Sequence, residues 1–416
     1  MQTLYSSLAG YIAKNKYPFH MPGHKGNAAF LPPVALQKLD LTELAGLDNL
    51  HQPTTCIKAT QRHIANIYGA DESFLLVNGA TAGITAAIIA TCTENTTVAI
   101  DRNCHRSVYS GLVLSGAKPV YFLPQAQEPP AASVTIVTSP TYEGNVLNIS
   151  QIAKKSQLLI VDEAHGAHFA FSNVFPKSAM YQGADIVVHS FHKTLPAFSQ
   201  SASLHVKGAK ISPASLQQAL ALVQTSSPSY MIMSTTDYML NLLCDNSHYF
   251  DRYTENLLKL RENLADWLIP NDDIGKLLLN IPKDEKWLTE SGLAFEMITE
   301  NYTLAMTSVA DKKEGFELLK KAVDKIDPTK KPALPQKGKT AKIMPPLPNV
   351  ILTPRQTLHK KSRSTWLTES IGKISATFLA PVPPGIPILA PGEEISREIV
   401  EFYVSEYGDC GVDVVL

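Results

Sequence analysis

Between Phe74 and Val206 the chain carries seven short apolar runs: FLLV at 74–77, VAID at 98–101, VYFL at 120–123, VTIVT at 134–138, LLIVD at 158–162, DIVVH at 185–189 and SLHV at 203–206. They are too short for helices, and few polar residues interrupt them. Runs of this kind are strands buried on both faces. Amphipathic or small-residue stretches such as 80–92 and 149–155 lie between most of them. Strands alternating with helices predict an α/β fold with a mainly parallel seven-stranded sheet flanked by helices. From Pro213 to about Leu268 the pattern is mostly helical, with a break at Pro228.

The chain's 416 residues exceed one typical domain. The first fifty are irregular and rich in Pro and Gly, so the expected division is a segment over 1–50, a large domain over 51–268 and a smaller C-terminal α+β domain over 269–416. Within the last, 327–348 holds six prolines, five lysines and one acid, a composition suited to an exposed linker. The net charge of −1 supplies no field for nucleic acid or an anionic membrane. The N-terminus lacks the apolar core of a signal peptide, and the apolar stretch at 84–89 is too short to span a bilayer. Five scattered cysteines with no CxxC pair argue against a disulfide framework or a cysteine metal site, so no metal and a reducing cytoplasm are expected.

Four polar signals follow strands, where ligands of open α/β sheets bind. Lys193 comes just after DIVVH; a lysine there forms an imine if its amine is partly neutral, and is otherwise a solvated surface lysine. Asp162 ends LLIVD and can pair with a protonated pyridine nitrogen, or serve as a turn aspartate. NGATAG at 78–83 opens a helix whose first N–H groups and Thr81 hydroxyl suit a phosphate, although Asn-Gly also marks ordinary turns. His105 can lie flat on an aromatic ring, or simply bond within its turn. Together they make an imine former, a pyridinium partner, a phosphate cradle and a stacking ring.

With these in place the chain resembles the Orn/Lys/Arg decarboxylase family, fold type I pyridoxal-phosphate (PLP) enzymes. The resemblance runs through PGHKG at 22–26, LDNLHQP at 47–53, VNGATAG at 77–83, DRNCHRSV at 101–108, SPTYEG at 139–144, VDEAHGAHF at 161–169, SFHK at 190–193, SQSASLHV at 199–206, TSSPSY at 225–230 and PPGIPILAPGE at 383–393. It implies decarboxylation of arginine, lysine or ornithine to a polyamine-precursor amine. Lys193 is then the Schiff-base lysine, Asp162 the pyridinium partner and His105 the stacking ring. Ala80, Thr81, Ser190 and His192 surround the phosphate, and Ala164 lies against the ring's other face. His192 and Lys193 are the candidate proton donors to Cα. Thr225 matches a residue that reaches the phosphate from a neighbouring subunit, which implies a homodimer or higher homo-oligomer with shared sites. Glu393 is expected to meet the substrate's distal cation. The large relatives' N-terminal wing domain has no counterpart here, and Ala80 stands where the family's cradle, commonly Asn-Gly-Thr, has its threonine.

Rival readings differ in class. DEAH at 162–165 also names a helicase box, but the only GKT, at 338–340, lacks its leading glycine and any preceding strand. A different PLP reaction (aminotransferase or lyase), or a non-catalytic relative with the same fold, is separated from decarboxylation by assaying CO₂ and keto acid.

Overall fold

A computed structural model describes residues 3–123, 128–281, 283–327, 345–381 and 387–416. Most of the expected linker at 327–348 and part of the 383–393 motif fall outside these residues. In chain order the first elements are α1 (Leu4–Ala13), β1 (Tyr17–Phe19), α2 (Cys56–Tyr68), β2 (Glu72–Leu76), α3 (Gly79–Thr91), β3 (Thr97–Asp101), α4 (Arg106–Ser115), β4 (Lys118–Phe122), β5 (Val134–Thr138), α5 (Ile149–Lys155), β6 (Leu159–Asp162), β7 (Ile186–His189), α6 (Phe191–Thr194) and β8 (Ala202–Val206). There follow α7 (Pro213–Val223), α8 (Tyr230–Asp245), α9 (His248–Asn263), β9 (Lys276–Leu279), α10 (Glu285–Glu290), β10 (Leu293–Phe295), β11 (Met297–Ile298), β12 (Thr303–Met306), α11 (Lys313–Val323), α12 (Pro354–Leu358), β13 (Ser362–Trp366), α13 (Arg397–Tyr407) and β14 (Gly411–Val415).

All seven predicted runs enter one sheet, ordered β2-β8-β7-β6-β5-β3-β4. Pairing is parallel from β4 through β7, and β8 runs antiparallel to both β2 and β7. Two antiparallel steps leave β2 pointing the same way as β7. The carboxyl ends of β2, β3, β5, β6 and β7 therefore share one edge, and the loops after them converge there. The apolar runs alternate between two cores. Ile100, Ile136, Ile160 and Val188 face α3, α4 and α7, while Ala99, Val137, Val161 and Val187 face α5 and the opposite side. Burial on both faces is what leaves the strands without polar alternation.

The N-terminal stretch is not wholly irregular, because α1 forms over Leu4–Ala13, capped by the Thr3 side chain. β1 pairs in parallel with β10, tying residues 17–19 to 293–295. β11, β12 and β9 make a separate antiparallel sheet. Leu277, Leu279, Ala305 and Leu319 share one apolar cluster with Phe175, Phe191, Tyr253 and Leu257, so residues 276–323 pack with the large part of the chain. Beyond Pro345 a second cluster, including Leu367, Leu389, Ile399 and Val412, forms its own core beside the antiparallel pair β13–β14. Among the described residues no helix is long and apolar enough to cross a membrane.

Candidate active site

The loops at the shared sheet edge enclose a cavity of about 310 Å³. The β2–α3 turn contributes Asn78, Gly79, Ala80 and Thr81; the start of α4 contributes His105 and Ser107; the β6 end contributes Asp162 and Ala164. Ser190, His192 and Lys193 follow β7, and Ser199 and Gln200 precede β8. Eight of the expected residues thus meet in one place: Ala80, Thr81, His105, Asp162, Ala164, Ser190, His192 and Lys193.

Local sequence explains how each is aimed. Gly79 has φ +70°, a conformation that a side chain resists, and no atom lies within 4 Å of where its Cβ would stand. The Asn78 side chain does not cap α3, because its Oδ1 accepts from the Thr225 N–H at 3.1 Å. The first amides of α3 thus have no side-chain cap, an arrangement that suits an anion. Asp162 is 5% exposed, and its Oδ1 accepts from the Ala164 N–H at 3.1 Å. His105 caps α4, its Nδ1 accepting from the Ser107 N–H at 3.2 Å, which puts the hydrogen of a neutral ring on Nε2. His192 has Nδ1 3.1 Å from the Ser201 carbonyl, so that nitrogen carries the hydrogen.

Burial is the leading cause of the altered acidities. It lowers the pKa of Lys193, partly opposed by Asp162 and Glu296. It also lowers those of His105 and His192, with Lys193 adding to the effect. A lysine amine that is easier to deprotonate is the form that attacks a carbonyl. A buried carboxylate, an amine of lowered pKa, uncapped helix amides and a flanking imidazole fit pyridoxal phosphate.

The descriptions "Orn/Lys/Arg decarboxylase, major domain" and "Orn/Lys/Arg decarboxylase, C-terminal domain" match residues 2–130 with 124–331, and 338–406. The chain belongs to the Orn/Lys/Arg decarboxylase family. Its relatives include the uncharacterized protein YaaO of Bacillus subtilis, 32% identical over 96% of this chain and 92% of that one. Another is an arginine decarboxylase of Halalkalibacterium halodurans, 27% identical over 99% of this chain and 94% of the relative. Among solved structures, a lysine decarboxylase of Francisella novicida covers the whole chain with a TM-score of 0.76 at 19% identity, over 84% of its own length. The constitutive lysine decarboxylase of E. coli gives the same TM-score at 20% identity, over 82% of its length. These two likenesses establish the shared fold.

Two expected site residues lie outside the cavity. Thr225 is exposed at its rim, where its carbonyl also accepts from His51 Nε2 at 2.8 Å. Glu393 requires a correction. Its carboxylate is fully buried and held in a two-pronged ion pair with Arg102, Nη1 to Oε1 at 2.5 Å and Nη2 to Oε2 at 2.8 Å. The Ala390 N–H donates to the same carboxylate, and Arg102 also donates to the carbonyls of Pro387 and Ile388. Glu393 is therefore committed to fastening the C-terminal part onto the loop that carries His105. Glu393→Gln should destabilise the fold by about 3–5 kcal/mol, because it leaves a buried guanidinium without its counter-charge. Denaturant titration checks this; an altered KM with unchanged stability would return Glu393 to the substrate.

The sequence reading missed Ser107, Ser199 and Gln200 as cavity residues, and it missed His165 and Lys276 behind Lys193. Lys193 Nζ lies 3.1 Å from His165 Nε2, and Lys276 Nζ lies 3.0 Å from Nδ1 of the same ring. The available signal was a lysine heading the wholly buried strand KLLL, where an unpaired charge is not tolerated.

Proposed function

We propose that the chain catalyses PLP-dependent decarboxylation of a basic L-amino acid: arginine, lysine or ornithine. The observation that carries the reading is the Lys193 side chain lining the same cavity as Asp162 and the uncapped first turn of α3, in a chain of this family. When bound, pyridoxal phosphate supplies a carbonyl for amine capture and a cationic ring that draws off the electron pair left by departing CO₂. The protein's part is to hold and orient. The α3 amides, with the Thr81 and Ser190 hydroxyls, would hold the phosphate, and His105 and Ala164 would flank the ring. Asp162 would accept a hydrogen bond from the ring nitrogen and hold its proton in place. Lys193 would be the residue that holds the cofactor covalently. A second copy of the chain would bring Thr225 to the phosphate across a homodimer interface.

The test is a panel of arginine, lysine and ornithine with detection of CO₂, amine and keto acid, arginine first because several relatives are named arginine decarboxylases. Amine with equimolar CO₂ supports the reading, and keto acid or no turnover sinks it. Sedimentation of the same active preparation addresses the shared site, since a fully active monomer is incompatible with it.

A further inference from the structure

Lys276 lies outside the cavity, at the start of β9, and is 1% exposed. Its ammonium donates to the carbonyls of Thr141 at 3.1 Å and Tyr142 at 2.7 Å. Its third contact is His165 Nδ1, and the far nitrogen of that ring meets Lys193. His165 is itself buried, at 6% exposure. Buried Lys276 and half-buried Lys193 thus face one imidazole from opposite sides.

We propose that Lys276 is a positioning residue and proton store for Lys193, acting through the neutral His165 ring. The proposal rests on the decarboxylase reading only for the use to which the proton is put. Carbonyl oxygens only accept, so Lys276 keeps two N–H groups on them in either protonation state. As an ammonium it donates its third N–H to His165 Nδ1. The ring's own hydrogen is then on Nε2 and donates to the lone pair of the Lys193 amine. Moving one proton along this line leaves Lys276 as an amine accepting from Nδ1–H, and Lys193 as an ammonium donating to Nε2. The imidazole is neutral in both arrangements, and each of the three groups keeps its partners. Lys193 is thereby held as an amine while it waits, and is recharged when its proton is used. Loss of CO₂ leaves an electron pair on Cα that must take one proton; that proton leaves Lys193 Nζ and is replaced from Lys276.

The surrounding charges agree. Burial, reinforced by Lys193 and Lys276, holds the His165 pKa far below its ordinary range, which disfavours imidazolium. Burial brings Lys276 down to about 8, with Asp273, Glu143 and Glu296 opposing the shift and Lys193 adding to it. Asp162 and Glu296 face Lys193, and His105 and His192 add to the positive charge felt by His165.

The experiment uses cofactor-free protein, with acetic anhydride labelling of Lys193 followed by mass spectrometry across pH. In Lys276→Met the midpoint for Lys193 should rise by about one pH unit, because a like charge has gone. Labelling near neutral pH should then fall by about tenfold. A folded Lys276→Met whose labelling curve superimposes on that of the parent overturns the proposal. Should that variant fail to fold, His165→Gln serves, since an amide bonds to both lysines but does not pass a proton between them. Its kcat should fall about tenfold or more, with KM unchanged and the Lys276 limb of the pH–rate curve lost; an unchanged curve also overturns the relay. A labelling shift in a protein inactive on the whole panel leaves the relay standing and removes the decarboxylase reading instead.

Discussion

Lys193→Ala should yield a folded protein without detectable decarboxylation, without the long-wavelength absorbance of lysine-bound cofactor, and without cofactor trapping by borohydride. Lys193 is half-buried and forms no ion pair among the described residues, so its removal leaves no charge stranded. Its depressed pKa and its place on the cavity wall are what fit it to take up a carbonyl. The measurement has a built-in competitor. Lys276 is a second amine with its pKa brought down to about 8, one imidazole away. If borohydride still fixes cofactor to Lys193→Ala, a peptide map should be searched for Lys276 first. Attachment there would withdraw the role given to Lys193.

Asp162→Asn should separate capture from chemistry. Lys193 should still bind cofactor covalently, so the absorbance and the borohydride adduct persist. Turnover should fall on the order of a thousandfold, as when one preorganised electrostatic partner of developing charge is removed. The carboxylate is 5% exposed and oriented by the Ala164 N–H, so little water stands in for it. Asparagine fills the same space but does not stabilise a proton on a pyridine nitrogen, and the ring loses its pull on electrons. Both kcat and kcat/KM should drop together, marking an interaction made in the transition state. Near-parental turnover would take Asp162 out of this role.

Why the sheet could be read in advance while the relay could not is a matter of range. The seven strands are buried on both faces, so their identity is written in consecutive residues such as Leu159–Asp162 and Ile186–His189. The eight cavity residues read in advance were legible for the same reason, since each sits within a few positions of a strand's end. The direction of β8 was not legible, because an apolar run has no polarity of its own; only pairing with β2 and β7 reverses it. α1 was hidden by the prolines and glycines that follow it. His165 and Lys276 are 111 positions apart, and neither residue's neighbours announce the other. Glu393 was misread because an isolated glutamate suggests solvent or a ligand, whereas its partner Arg102 stands 291 positions earlier.

That last separation also orders events in time. A chain made from its N-terminus presents Arg102 long before Glu393 exists. Until then the guanidinium is better served by water than by the apolar interior it finally occupies, at 1% exposure. Arg102 and His105 belong to one short loop, so the pair ties the part of the wall that carries His105 to the docked far end of the polypeptide. The clasp thus makes the near wall of the cavity depend on a residue close to the far end of the polypeptide.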